Sequence, residues 1–218
     1  MNRSAWALLL GFTMVVVSGC DQPAKPVAKE NLEDAVAVMS AESTDETSEC
    51  GAIAYLADAM PADRTVQGFQ EIYRGCDSPI SAQLSYGSDE GGSIGYSLIV
   101  LSAEQAGLEG DSWNELIGAN RVAMESVIKS QKMAREVYLS GGAGSERDQR
   151  RMPEEITLPN GSRAMLFSES NDWVLLSLLN DRHALRIDIS DMSWDGFTTE
   201  QAKEQVAGLV DKVKLDQL

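Results

Sequence analysis

The chain has 218 residues, of which 18 are basic and 34 acidic, for a net charge of −16. A field of that sign repels phosphate backbones and anionic headgroups, so nucleic acid is excluded as a partner, while a basic protein face would be attracted. A single histidine rules out the usual multi-histidine zinc or iron centres, and neither a metal nor a cofactor is expected.

Met1-Asn2-Arg3-Ser4 opens the chain with one positive charge, and Ala5 to Val17 is then a run of 13 almost wholly apolar residues. That run is shorter than the roughly 20 residues needed to span a bilayer. It suits the core of a secretory signal. Val17-Ser18-Gly19-Cys20 follows, an aliphatic residue and two small ones before a cysteine. Together these features resemble the signal and lipobox of bacterial lipoproteins.

The resemblance implies that residues 1–19 are a cleaved signal peptide and that Cys20 becomes the acylated first residue, carrying diacylglyceryl and palmitate-type chains. Each buried CH₂ contributes about 0.8 kcal/mol, so several chains on one residue make a firm membrane anchor where one is marginal. Asp21 directly follows, and an Asp there resembles the inner-membrane retention signal of enterobacterial lipoproteins. The implied location is the inner membrane, facing the periplasm, with the outer membrane as the alternative. Without residues 1–19, which hold Arg3 and no acid, the balance is 17 basic to 34 acidic.

Asp21 to Glu49 contains eight acids and two lysines with Pro23 and Pro26. Such a segment buries little apolar surface and is expected to be a disordered acidic tether over residues 20–49, apart from one helical turn at Leu32, Val36 and Met39. A coil of about 28 residues reaches roughly 30 Å, and self-repulsion extends it. With Cys20 acylated, Cys50 and Cys76 remain, and the exported compartment is oxidising, so they are expected to pair. There is no Cys-x-x-Cys to suggest redox catalysis.

One globular domain is expected over 50–218. Ala52 to Met60 reads as a short helix with Ile53, Leu56, Ala57 and Met60 on one face. Val66, Phe69, Ile72 and Tyr73 fit a second helix over 65–74 better than a strand. Ile80 to Tyr86 and Ile94 to Val100 alternate as two strands about the turn at Ser88 to Gly92. Ser112-Trp-Asn-Glu115 has capping-box form and opens a long helix. Its expected core stripe is Trp113, Leu116, Ile117, Met124, Val127, Ile128, Ala134 and Tyr138, and Gly141-Gly142 ends it.

Glu155 to Leu158 and Arg163 to Ser168 flank Pro159-Asn160-Gly161, a hairpin signal. Trp173 to Leu179 is apolar on both faces and is expected to be central. In His183 to Ile189, the apolar residues face inward while Arg186 and Asp188 face out. Thr198-Thr-Glu-Gln201 opens a last helix whose stripe is Val206, Leu209, Val210 and Val213. Consecutive hairpins make the fold class α+β, a mainly antiparallel sheet with a long helix and a C-terminal helix packed on it.

Chemistry is sparse. His183 shares strand parity with Leu185 and Ile187 and reads as a packing histidine, since no nucleophile stands out as its partner. Asp191, Ser193 and Asp195 space like the start of a calcium loop, but position 12 is Ala202, so the bidentate ligand is missing. Gly141 to Gly144 follows a helix and lacks the Lys-Ser/Thr of a phosphate cradle. Arg147, Arg150 and Arg151 form the one dense basic cluster and a candidate partner-binding loop. No catalytic residue is assigned. The expected function is a non-enzymatic binding or scaffolding module for another envelope component. A small apolar ligand held between sheet and helix, or a carboxylate-dependent hydrolase, are the alternatives.

Overall fold

Small polar and large apolar side chains alternate through residues 81–87 and 93–100. A period of two makes strands with one dry face, and the two runs pair as neighbours in a sheet. The computed structural model describes residues 46–89, 91–141, 145–170, 172–190 and 196–218. The signal, the lipobox, nearly all of the tether and the Asp191–Asp195 stretch lie outside the described residues.

Eight strands form one sheet: β1 (Thr65–Val66), β2 (Phe69–Ser78), β3 (Ser81–Gly87), β4 (Ser93–Val100), β5 (Glu154–Thr157), β6 (Arg163–Glu169), β7 (Asp172–Leu178) and β8 (His183–Ser190). Their spatial order is β1-β2-β3-β4-β8-β7-β6-β5, and every pair is antiparallel. Two four-stranded meanders are thus joined through their last strands. The helices are α1 (Ala54–Ala59), α2 (Asp111–Leu139), α3 (Glu146–Arg150) and α4 (Thr199–Val210), with a 3₁₀ segment at Glu46–Ile53 before α1. The α+β class and the mainly antiparallel sheet are as expected.

The main core lies on one face of the sheet. Ile53, Leu56 and Met60 from the 3₁₀ segment and α1 meet Leu84, Tyr86, Tyr96 and Leu98, while Val206, Leu209 and Val210 of α4 close the same layer. The capping box at Thr198 and Gln201 forms as the sequence predicts. Cys50 and Cys76 are bonded, with Cα atoms 5.4 Å apart, and the bridge ties the 3₁₀ segment to β2. A smaller cluster on the opposite face joins Met165, Phe167, Val174 and Leu176 to Met124 and Ile128 of α2. β7 is therefore covered on both faces, which is why its side chains are apolar on both. The Asn-Gly hairpin also forms: Leu158 N–H donates to the Ser162 carbonyl at 2.8 Å, and Gly161 has φ +84°.

Three expectations are corrected. Residues 65–74 form β1 and the first half of β2, not a helix. The register of β2 shifts between Glu71 and Tyr73. A bulge there turns Ile72 and Tyr73 toward the same side of the sheet, and the resulting spacing imitates a helical stripe. The long helix starts at Asp111, with Gly110 at its N-cap and no side-chain cap, so Ser112 lies inside it and its capping box does not form. Of the stripe expected on α2, Ile117 alone is fully buried, and Leu116 and Val127 are exposed.

Candidate functional site

Cross-strand rows define what the second face of the sheet offers. One row reads Tyr73, Ser85, Gly95, Asp188, Val174 and Phe167 from β2 to β6. The next reads Gly75, Gln83, Ser97, Arg186, Leu176 and Met165. Each row is apolar where α2 lies over it, then carries one member of the Arg186–Asp188 ion pair, then turns small and polar. Arg186 grips Asp188 through two nitrogens at 2.6 and 2.7 Å, so this boundary is charged but locally neutral.

Over β2, β3, β4 and β8 no described element covers this face. Its floor is Ser81, Gln83, Ser85, Ser93, Gly95 and Ser97, all half-buried. At its rim stand Ile72, 67 % exposed, and Tyr73, 40 % exposed. Tyr73 lies along the strand over Gly75, where an added Cβ would come within 2.8 Å of its hydroxyl. Glycine at 75 therefore lets the ring lie flat on the sheet. The face is a shallow trough with Ile72 and Tyr73 at its rim, uncharged over β3 and β4 and bounded on β8 by the Arg186–Asp188 pair.

The second uncovered surface is the outer side of α2. Arg121 bonds Asp181 in the β7–β8 turn at 2.9 Å, and Lys132 bonds Glu155 of β5 at 3.1 Å, which lays the helix across β5, β6 and β7. Away from the sheet, Leu116, Val122, Val127, Met133, Val137 and Leu139 are exposed, Val122 by 64 % and Met133 by 53 %. With Ile72 and Tyr73, these are the exposed large apolar side chains among the described residues. All eight thus stand on the α2 side of the sheet or on α2 itself. Scattered apolar residues on a surface carry no message, but this concentration marks interaction surface.

The residues singled out in the sequence behave differently. His183 is buried beneath Tyr55, whose hydroxyl is 2.8 Å from Nε2 and whose ring meets the imidazole edge-on. Its Nδ1 is buried without a hydrogen-bond partner among the described residues. Burial raises the Tyr55 pKa, so its hydroxyl stays protonated beside the ring, and His183 is buried and hydrogen-bonded, the packing position that the sequence suggested. Arg150 is exposed, but Arg151 is buried with its guanidinium 4.9 Å above the Trp173 ring. The basic cluster is therefore split and does not present three arginines on one exposed loop; the side chain of Arg147 lies outside the described residues. A groove of about 410 Å³ lies between β5 and α4, lined by Ile156, Leu158, Ala207 and Val210 with Lys203 at its edge, and offers apolar surface to a small ligand.

His183 gives a pH prediction. Burial, and secondarily the charge of Arg182, lowers its pKa from the ordinary 6.5. The folded chain keeps the ring neutral where the unfolded chain already takes up a proton. The contribution of this group to stability is expected to be flat above about pH 6.5, to fall below it, and to level off once pH is beneath the folded-state value. Thermal midpoints measured from pH 8 to pH 5 check this. His183→Gln should remove that segment of the pH dependence; an unchanged profile in the variant would assign the loss to other groups.

Neither surface was found from the sequence. A signal for the α2 surface was present: Val122, Met133 and Val137 fall outside the sheet-facing stripe, so the helix is apolar on more than one side. The trough was visible as Ser, Gly and Gln alternating with buried residues, a pattern that says a face is uncovered but not what lies over it. No family model, curated protein or solved structure matches the chain.

Proposed function

We propose that this chain is an acyl-anchored envelope protein whose domain is a non-enzymatic module that binds or scaffolds another envelope component. Cys20 would hold it to the periplasmic face of the inner membrane through its lipid, and the acidic segment after it would let the domain stand off and search. The observation that carries the binding role is the uncovered trough on β2, β3, β4 and β8 with its rim of Ile72 and Tyr73. An aromatic ring and an isoleucine beside a floor of hydroxyls and one amide offer apolar contact with satisfiable polar groups, the usual make-up of a non-obligate interface.

The charge sets the partner. The trough is locally neutral while the chain as a whole carries −16. The net field of such a chain favours approach by a basic-edged protein and disfavours an acidic one. The partner is therefore an envelope protein with a basic border around a small apolar contact.

Photo-crosslinking in cells tests this reading. A photoreactive side chain placed at Tyr73 or Ser97 is expected to give a discrete protein adduct, and the same group at Glu204 on α4 is not. Raising salt from about 50 to 500 mM during capture should weaken the adduct, as screening shortens the range of the steering field. Equal adducts from all three positions, or none from Tyr73 and Ser97, would reject the trough as the binding face. Intact-mass analysis of the native chain checks the anchor separately; an unmodified Cys20 or an uncut leader would remove it.

A further inference from the structure

We infer that the outer ribbon of α2 pairs with a second copy of this chain in an antiparallel, two-fold arrangement. This goes beyond the binding role assigned to the trough and does not depend on it.

Stepping from Leu116 by alternate threes and fours reaches Val137 through Ala119, Ala123, Ser126, Ser130 and Met133, and every one of these positions is exposed. Threes and fours in alternation make the seam of a two-helix coiled coil. No charged residue falls on it, although about a quarter of the chain is charged. Lys129 and Glu136 stand on one flank and the uncharged Val127 and Ala134 on the other.

Self-pairing follows from size and charge. Set antiparallel about an axis at the level of residue 128, the seam brings Ala123 against Met133 of the second copy and Ala119 against its Val137. Ser126 meets Ser130 at the centre, twice by symmetry, where two hydroxyls can bond. Large side chains thus meet small ones in the Ala123–Met133 and Ala119–Val137 layers, and the helices approach closely at the centre, where both are small. An isologous contact needs one patch that complements itself, which this pattern does. Charge permits the contact: two acidic copies repel one another overall, and the uncharged ribbon is a strip where they can meet without apposing carboxylates. The seam is about 32 Å long, from 21 rises of 1.5 Å, and one helix wide. That is small beside the ~800 Å² per partner of a standard interface, so the dimer is concentration-dependent rather than permanent.

Cysteine crosslinking and sedimentation test the inference on the full-length lipidated chain in detergent. A Ser126→Cys copy mixed with a Ser130→Cys copy is expected to form a disulfide-linked dimer at least ten-fold faster than Ser126→Cys mixed with Glu204→Cys. Met133→Glu is at an exposed position and leaves the core intact; it should cut the dimer fraction in sedimentation velocity at least ten-fold, with an unchanged circular dichroism spectrum. Equal rates in the two mixtures would overturn the inference. So would a monomer at every concentration up to about 100 µM, or a dimer indifferent to Met133→Glu. None of these results bears on crosslinks from Tyr73, so failure here leaves the trough standing.

Discussion

Replacing Leu175 with alanine is expected to lower the stability of the domain by about 2–5 kcal/mol, the range for deleting a buried leucine side chain when the cavity collapses only in part. Leu175 is fully buried in β7, between Leu166 of β6 and Ile187 of β8. β7 is interior in strand order and packed on both faces, so its neighbours have little room to move in. Ser97→Ala, two strands away on the uncovered face, should change stability by less than about 0.5 kcal/mol. Urea unfolding of the two variants measures the contrast. A loss for Leu175→Ala no larger than for Ser97→Ala would mean that the centre of the sheet is not close-packed.

Removing the Cys50–Cys76 bridge is the second large effect. In the chain-entropy model, a loop of 26 positions is worth about 3–4 kcal/mol, because the reduced unfolded chain regains freedom that the bridge denies it. The paired Cys50→Ser, Cys76→Ser variant should lose that much in denaturant unfolding, and reductant should produce the same loss in the parent chain. The local effect is as informative. Amides of the 3₁₀ segment and α1 should exchange faster with solvent, while those of β7 and β8 should change only through the global stability. Protection lost evenly across the sheet, with none concentrated at residues 46–59, would show that the bridge does not hold this segment to β2.

Much of the fold was legible because local rules sufficed. Alternation named β3, β4 and β8, and Asn160-Gly161 named a hairpin. Thr198 and Gln201 marked the start of α4, and apolarity on both faces placed Trp173 to Leu179 centrally. The errors came where a non-local pairing overrode a local pattern. The bulge at Glu71 and Tyr73 exists only against β3, and without β3 the spacing of Val66, Phe69, Ile72 and Tyr73 is a helix pattern. Ser112 was a plausible cap, but the helix begins after Gly110, one residue before it.

The candidate surfaces were less legible than the fold. Leu116 and Val127 were assigned to the core because an apolar residue in a helix reads as buried, whereas α2 rests on three strands of eight and meets them with one side only. Arg151 read as part of a candidate partner-binding loop and is instead stacked on Trp173, a residue 22 positions further along the chain.

By itself the sequence determined which segments are strands with one dry face, where the last helix starts and how acidic the chain is, because each of these depends on near neighbours or on totals. Tertiary structure alone decided which face of the sheet α2 covers, how far that cover extends, and hence that Ile72, Tyr73 and the ribbon from Leu116 to Val137 stand open. The physical reason is that burial is a property of pairs of elements: an apolar side chain records that it can be covered, and only the packing of distant segments settles whether it is.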